Sequence, residues 1–131
     1  MTTIDTQTIT ANEFPLTVSV RAHELRSDVK ESTGGHDSAP GPHDFFDMAL
    51  ATCKAATAMW YAKRHGIPLE RVESHVDSDD SEERAGVYRF RVRVELFGPM
   101  TDEQRSQLQR AVSTCPIHKL MTTADVQIEM I

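Results

Sequence analysis

A chain of 131 residues has room for one domain, here residues 1–131, and needs no metal or disulfide staple to form a core. Its formal net charge of -6 argues against nucleic acid or an anionic membrane as partner, because both demand a cationic surface. No apolar run approaches the ~20 residues that span a bilayer, and Met1–Thr10 lacks the basic and apolar regions of a signal, so a cytoplasmic protein is expected.

Two loosely alternating stretches lie between Thr2 and Val20, with Leu16, Val18 and Val20 on one side and Thr17 and Ser19 on the other. Asn12, Glu13 and Pro15 separate them as a turn, so a strand pair is expected. From Arg26 to Pro42 the composition shifts to Ser, Asp, Gly and Pro, which predicts a long functional or flexible loop. Pro42 suits the first position of a helix, and Asp44 adds negative charge to its first turn. Asp44–His65 contains neither Gly nor Pro, and Gly66 fits the position just past the helix end. The middle of this helix is apolar nearly all round, with Lys54 its only charge, so burial on most sides is expected.

Arg71–Val76 reads as a strand leading into an acidic turn over Asp77–Arg84. Val87–Phe97 then alternates, with Tyr88, Phe90, Val92, Val94 and Leu96 facing one way and Arg89, Arg91, Arg93 and Glu95 the other. One buried and one wet or ion-paired face is the mark of an antiparallel sheet. Thr101 followed by Gln104 is a capping-box pattern and opens a helix over Asp102–Ser113, with Leu108 and Val112 inward. A Pro-opened turn, Pro116–Met121, and a closing strand, Val126–Ile131, complete an α+β order without internal repeats.

Two cysteines, Cys53 and Cys115, are either inert buried thiols or a reactive pair, since a cytosolic structural disulfide is not expected. Cys115 precedes a helical turn whose free N–H groups lower a thiol pKa. Cys53 has no such local help, and His43 and Asp44 lie roughly 13–15 Å from it along the helix axis. Any charge that activates Cys53 must therefore come from another segment or another subunit. Cys115 and His118 have C-x-x-H spacing, and Cys53, His36 and His43 could join them, but the ligands are too few for a metal site. With no G-x-S-x-G, P-loop or G-x-G-x-x-G, neither a serine elbow nor a nucleotide cofactor is supported, and no cofactor is expected.

The two cysteine segments together resemble those of the OsmC/Ohr family. Gly34-Gly35 and Ala39–Cys53 resemble its G-P-x-P-x-E-L-L-x-A-A-L-A-x-C segment, and Cys115-Pro-Ile-His-Lys-Leu120 its C-P-V-H-x-x-L segment. Tyr61–Leu69 and Gly98–Arg105 match in kind and order, so the similarity covers about residues 16–131. The resemblance implies an intertwined homodimer of α+β chains, with an antiparallel sheet wrapped around a long buried central helix. It implies a thiol peroxidase of oxidative-stress defence acting on organic hydroperoxides, in some members on hydrogen peroxide. Cys53 would become a sulfenic acid, Cys115 would condense with it to a disulfide, and an external dithiol would restore the pair. In peroxidase branches an Arg of the N-terminal hairpin, held by a Glu at the start of the long helix, stabilises the thiolate. Here His43 stands at that Glu position with Asp44 one place later, and Thr2–Pro15 contains no Arg. His43, Asp44 and Arg21 are the candidate supporting groups. The departure also motivates a second expectation, an OsmC-like protein binding a small apolar ligand at the dimer interface.

Overall fold

Alternating Val and hydroxyl residues make Leu16–Val20 the central strand of a three-stranded antiparallel sheet. In the computed structural model, which describes residues 1–131, this strand (β2) pairs with β1 (Ile4–Thr8) on one edge and β3 (His23–Ser27) on the other. Thr6, Val18 and Leu25 lie in one cross-strand row, and Ile4, Val20 and His23 in another. The β1–β2 pair is the expected one, and Asn12 turns between the strands at φ 66°. The third strand is not among the expected elements; it lies ahead of the expected loop and takes only its first two residues, Arg26 and Ser27. Its hairpin turns at Arg21 and Ala22 with Arg21 at φ 50°, a left-handed position usually given to Gly or Asn, so no turn signal marks it. These strands and the following loop belong to the first of two compact units, Met1–Phe46; the second is Asp47–Ile131.

The remaining loop is ordered by one carboxylate. Asp28, at 1 % exposure, accepts hydrogen bonds from the N–H groups of Val29, His36 and Ser38 and from the Ser38 hydroxyl at 2.6–3.1 Å. A Cβ on Gly35 would meet the Val29 carbonyl oxygen at 2.3 Å, so only glycine fits this crossing. The loop ends at α1 (Pro42–Arg64), where the Asp44 carboxylate accepts the Gly41 N–H at 2.8 Å.

In the second unit α1 buries one stripe, Leu50, Lys54, Ala58 and Ala62, at the four-residue spacing of a helix face. Met48, Thr52, Ala56 and Trp60 lie exposed at the same spacing, so one chain covers only part of the apolar surface of α1. Gly66 ends α1 at φ 63° while the Ile67 N–H bonds the Ala62 carbonyl at 2.9 Å, closing the turn that Gly66 and Pro68 foretell. Strands β4 (Arg71–Asp79) and β5 (Arg89–Phe97) pair antiparallel, with Asp77 opposite Arg91 and Asp79 opposite Arg89. The acidic stretch is therefore strand as far as Asp79, with Asp77 and Asp79 each set opposite an arginine of β5.

Helix α2 (Asp102–Ser113) has both capping-box hydrogen bonds between Thr101 and Gln104, and it buries Leu108 and Val112. Those two pack with Ala58, Ala62, Ile67, Leu69 and Leu96 as the core. Helix α3 (Pro116–Thr122) follows with Cys115 at its N-cap. The expected closing strand does not form: residues 124–131 join no ladder, and Val126, Ile128 and Met130 are 64 %, 82 % and 91 % exposed. Alternation alone does not make a strand when no free edge of the same chain lies beside it.

Candidate thiol site

The site forms where α1, the end of α2 and the start of α3 meet. Cys53 comes from the middle of α1 and Cys115 from the α2–α3 corner, and both are free thiols. The Ile117 N–H, at the second position of α3, donates to Cys53 Sγ at 3.5 Å, and Thr57 Oγ1 lies 3.9 Å from the same sulfur. The α3 amide group thus serves the distant cysteine, supplying Cys53 from another segment with the polarity its own helix cannot give.

Cys115 is fully buried, with the Cys53 thiol beside it. Burial pushes its thiol pKa up, and the neighbouring Cys53 thiol adds to this. The His118 N–H and the Lys54 charge pull the other way, but that N–H closes no capping bond. Helix-start stabilisation, expected to lower the Cys115 pKa, is outweighed by desolvation.

Lys54 organises the corner. Its side chain is 4 % exposed, and Nζ donates to the carbonyls of Val112 at 2.6 Å and Ser113 at 3.2 Å. His118 Nδ1 accepts the remaining N–H at 3.0 Å, which places the proton of a neutral ring on Nε2. All three donors of the ammonium are used, and two final carbonyls of α2 without intrahelical partners are satisfied. Neither Lys54 nor His118 emerged from the sequence as a supporting residue. The available signal was a single charge beside Cys53 in an otherwise apolar helix, which must find acceptors once buried.

The other candidates lie in the first unit. Arg21 occupies the exposed β2–β3 turn, His43 is the exposed second residue of α1, and Asp44 caps that helix. Because His118 Nδ1 faces the ammonium, the C-x-x-H spacing does not present a ligand pair. Elsewhere Glu73, His75 and Glu95 bring ligand atoms within 4.8 Å of one another. Arg71 and Arg93 already pair with these carboxylates at 3.2 and 3.5 Å, as in an ion-pair ladder.

An α+β chain with small antiparallel sheets, one long helix and two thiols meeting at a helix corner defines the class. The sequence model described as OsmC-like protein matches residues 35–130, and the chain belongs to that family. No curated protein matches it. Solved structures share the fold at low identity. A Psychrobacter arcticus 273-4 protein, linked by name to osmotic stress and detoxification, is 17 % identical with a TM-score of 0.75, covering 94 % of this chain and 90 % of its own. An OsmC-like protein of Mycoplasma pneumoniae is 19 % identical with a TM-score of 0.73, covering 94 % and 88 %. A Legionella pneumophila protein titled an organic hydroperoxide resistance protein is 16 % identical with a TM-score of 0.64, covering 94 % and 90 %. No helix of the chain is long and apolar enough to cross a membrane.

Proposed function

We propose that this protein is a thiol-dependent peroxidase that reduces organic hydroperoxides through Cys53 and Cys115. The observation that carries the reading is the meeting of the two thiols, with the Ile117 N–H directed at Cys53 Sγ and the Lys54 ammonium at the same corner. The Cys53 thiolate attacks the terminal peroxide oxygen, the O–O bond breaks, and the alkoxide leaves and takes up a proton. Cys53 is then a sulfenic acid. Cys115 gives up its proton to the departing hydroxyl as its sulfur attacks that of Cys53; the S–S bond forms, the S–O bond breaks and water leaves. An external dithiol reduces the resulting disulfide and becomes a disulfide itself.

The exposed apolar side of α1 supports a homodimer in which a partner covers it, with both compact units of each chain forming one OsmC-like domain. A reducing cytoplasm suits a pair that must return to thiols. His43, Asp44 and Arg21 remain supporting groups in this reading, with Asp44 acting through the start of α1. The test is hydroperoxide consumption with a dithiol. It should be lost in Cys53→Ser, whereas Cys115→Ser should accumulate a sulfenic acid that dimedone traps. Unchanged turnover in Cys53→Ser overturns the reading and leaves a family member that binds a small apolar ligand.

A further inference from the structure

The recycling step has a direction, and burial sets it; this inference rests on the disulfide reading above. Cys115 has 0 % exposure, whereas Cys53 keeps part of its surface. A thiolate opens a disulfide by approaching along the line of the bond that breaks, so it needs access behind the sulfur it attacks. A second chain adds cover and removes none, so Cys115 is sealed within the chain itself. Lys54 Nζ bonds the Val112 and Ser113 carbonyls just before Cys115 and His118 Nδ1 just after it. A fixed cation therefore brackets the sulfur that cannot be approached.

We propose that the oxidised pair is opened from one side, the reductant attacking the Cys53 sulfur and Cys115 departing as a thiolate toward the Lys54 ammonium. One bond forms between the reductant sulfur and Cys53, and the Cys53–Cys115 bond breaks. Its electron pair goes to Cys115, which then takes the proton released by the reductant. The second thiol of the reductant attacks its own bound sulfur, closes a ring and releases Cys53. Two electrons and two protons pass from the dithiol to the protein. Burial alone makes Cys115 the poorer leaving group. Access decides against that order, because a sulfur with no open approach is not attacked. Lys54 is accordingly a positioning residue, acting on the departing charge and on the corner that holds Cys115.

The test uses the whole protein oxidised to the intramolecular disulfide with diamide, so it does not depend on peroxide turnover. A brief pulse of 2-mercaptoethanol, acid quenching, unfolding and alkylation then locate the mixed disulfide by peptide mass. The adduct should sit on Cys53 in about tenfold excess or more, since exchange at a buried sulfur is limited by access. Equal labelling, or labelling of Cys115, overturns the proposal. Lys54→Met should slow disulfide opening by dithiothreitol about fivefold to tenfold without moving the adduct, the loss of one nearby charge. An unchanged rate in folded Lys54→Met overturns the part given to Lys54. Were hydroperoxide not consumed while the diamide-formed bond still opened at Cys53, the peroxidase reading would fail and this inference would stand. No intramolecular disulfide with diamide would sink both.

Discussion

A carboxylate at 1 % exposure survives at Asp28 because four donors converge on it from Val29, His36 and Ser38. The Ser38 hydroxyl leads, with the backbone N–H groups behind it, in holding the Asp28 carboxyl well below the usual carboxylate range. The folded state thus binds this proton more weakly than the unfolded chain. Its stabilisation is present above the ordinary carboxylate pKa of about 3.9 and is lost as pH falls toward the lower folded value. Asp28→Asn places an amide among donors and removes the charge. It should lower the melting temperature by a constant amount between about pH 5 and 8, with the difference narrowing below about pH 4. Thermal melts of both proteins across that range check it; a difference independent of pH would remove charge from the explanation. Lys54 is likewise a buried charge with its polar contacts satisfied, a cation met by three acceptors.

At the scale of elements, packing and capping contribute unequally to α2. Leu108 is wholly buried, so Leu108→Ala should cost about 2–5 kcal/mol through lost contacts and a cavity. Thr101→Ala removes the acceptor for the Gln104 N–H and should cost about 1 kcal/mol. Denaturant unfolding should therefore rank Leu108→Ala well below Thr101→Ala; the reverse order would mean that capping, not core packing, holds the helix. Both features were legible in the sequence, since a capping box and an i, i+4 apolar pair are local signals. The same holds for α1, whose Pro start and Gly66 end are written in adjacent residues. Strand β3 was not legible, because the Arg21–Ala22 turn carries no residue that favours a left-handed backbone. The two cysteine segments were recognisable, but the corner joining them was not. It depends on Lys54 reaching carbonyls 58 and 59 positions away, and no local pattern encodes that reach.

At the scale of the molecule, one chain leaves apolar surface that its own residues do not cover. Trp60 on α1 is 60 % exposed, Met48 on the same face is 38 % exposed, and the tail carries Ile128 at 82 %. A soluble monomer rarely leaves such residues in water on one continuous helix face, and association is the usual way to bury them. The expected solution species is a dimer of twice 14.7 kDa by light scattering. Trp60→Glu should shift it toward a single chain, because a carboxylate buried there without a partner costs several kcal/mol. Trp60 is the only tryptophan, so its fluorescence reports on this face alone. The Arg64 guanidinium lies 5.4 Å from the ring centroid. Dilution should therefore move the emission to longer wavelength as the partner leaves and water replaces it. A mass of one chain at high concentration, with emission already at the wavelength of a hydrated indole, would refute the dimer and leave the face to another occupant.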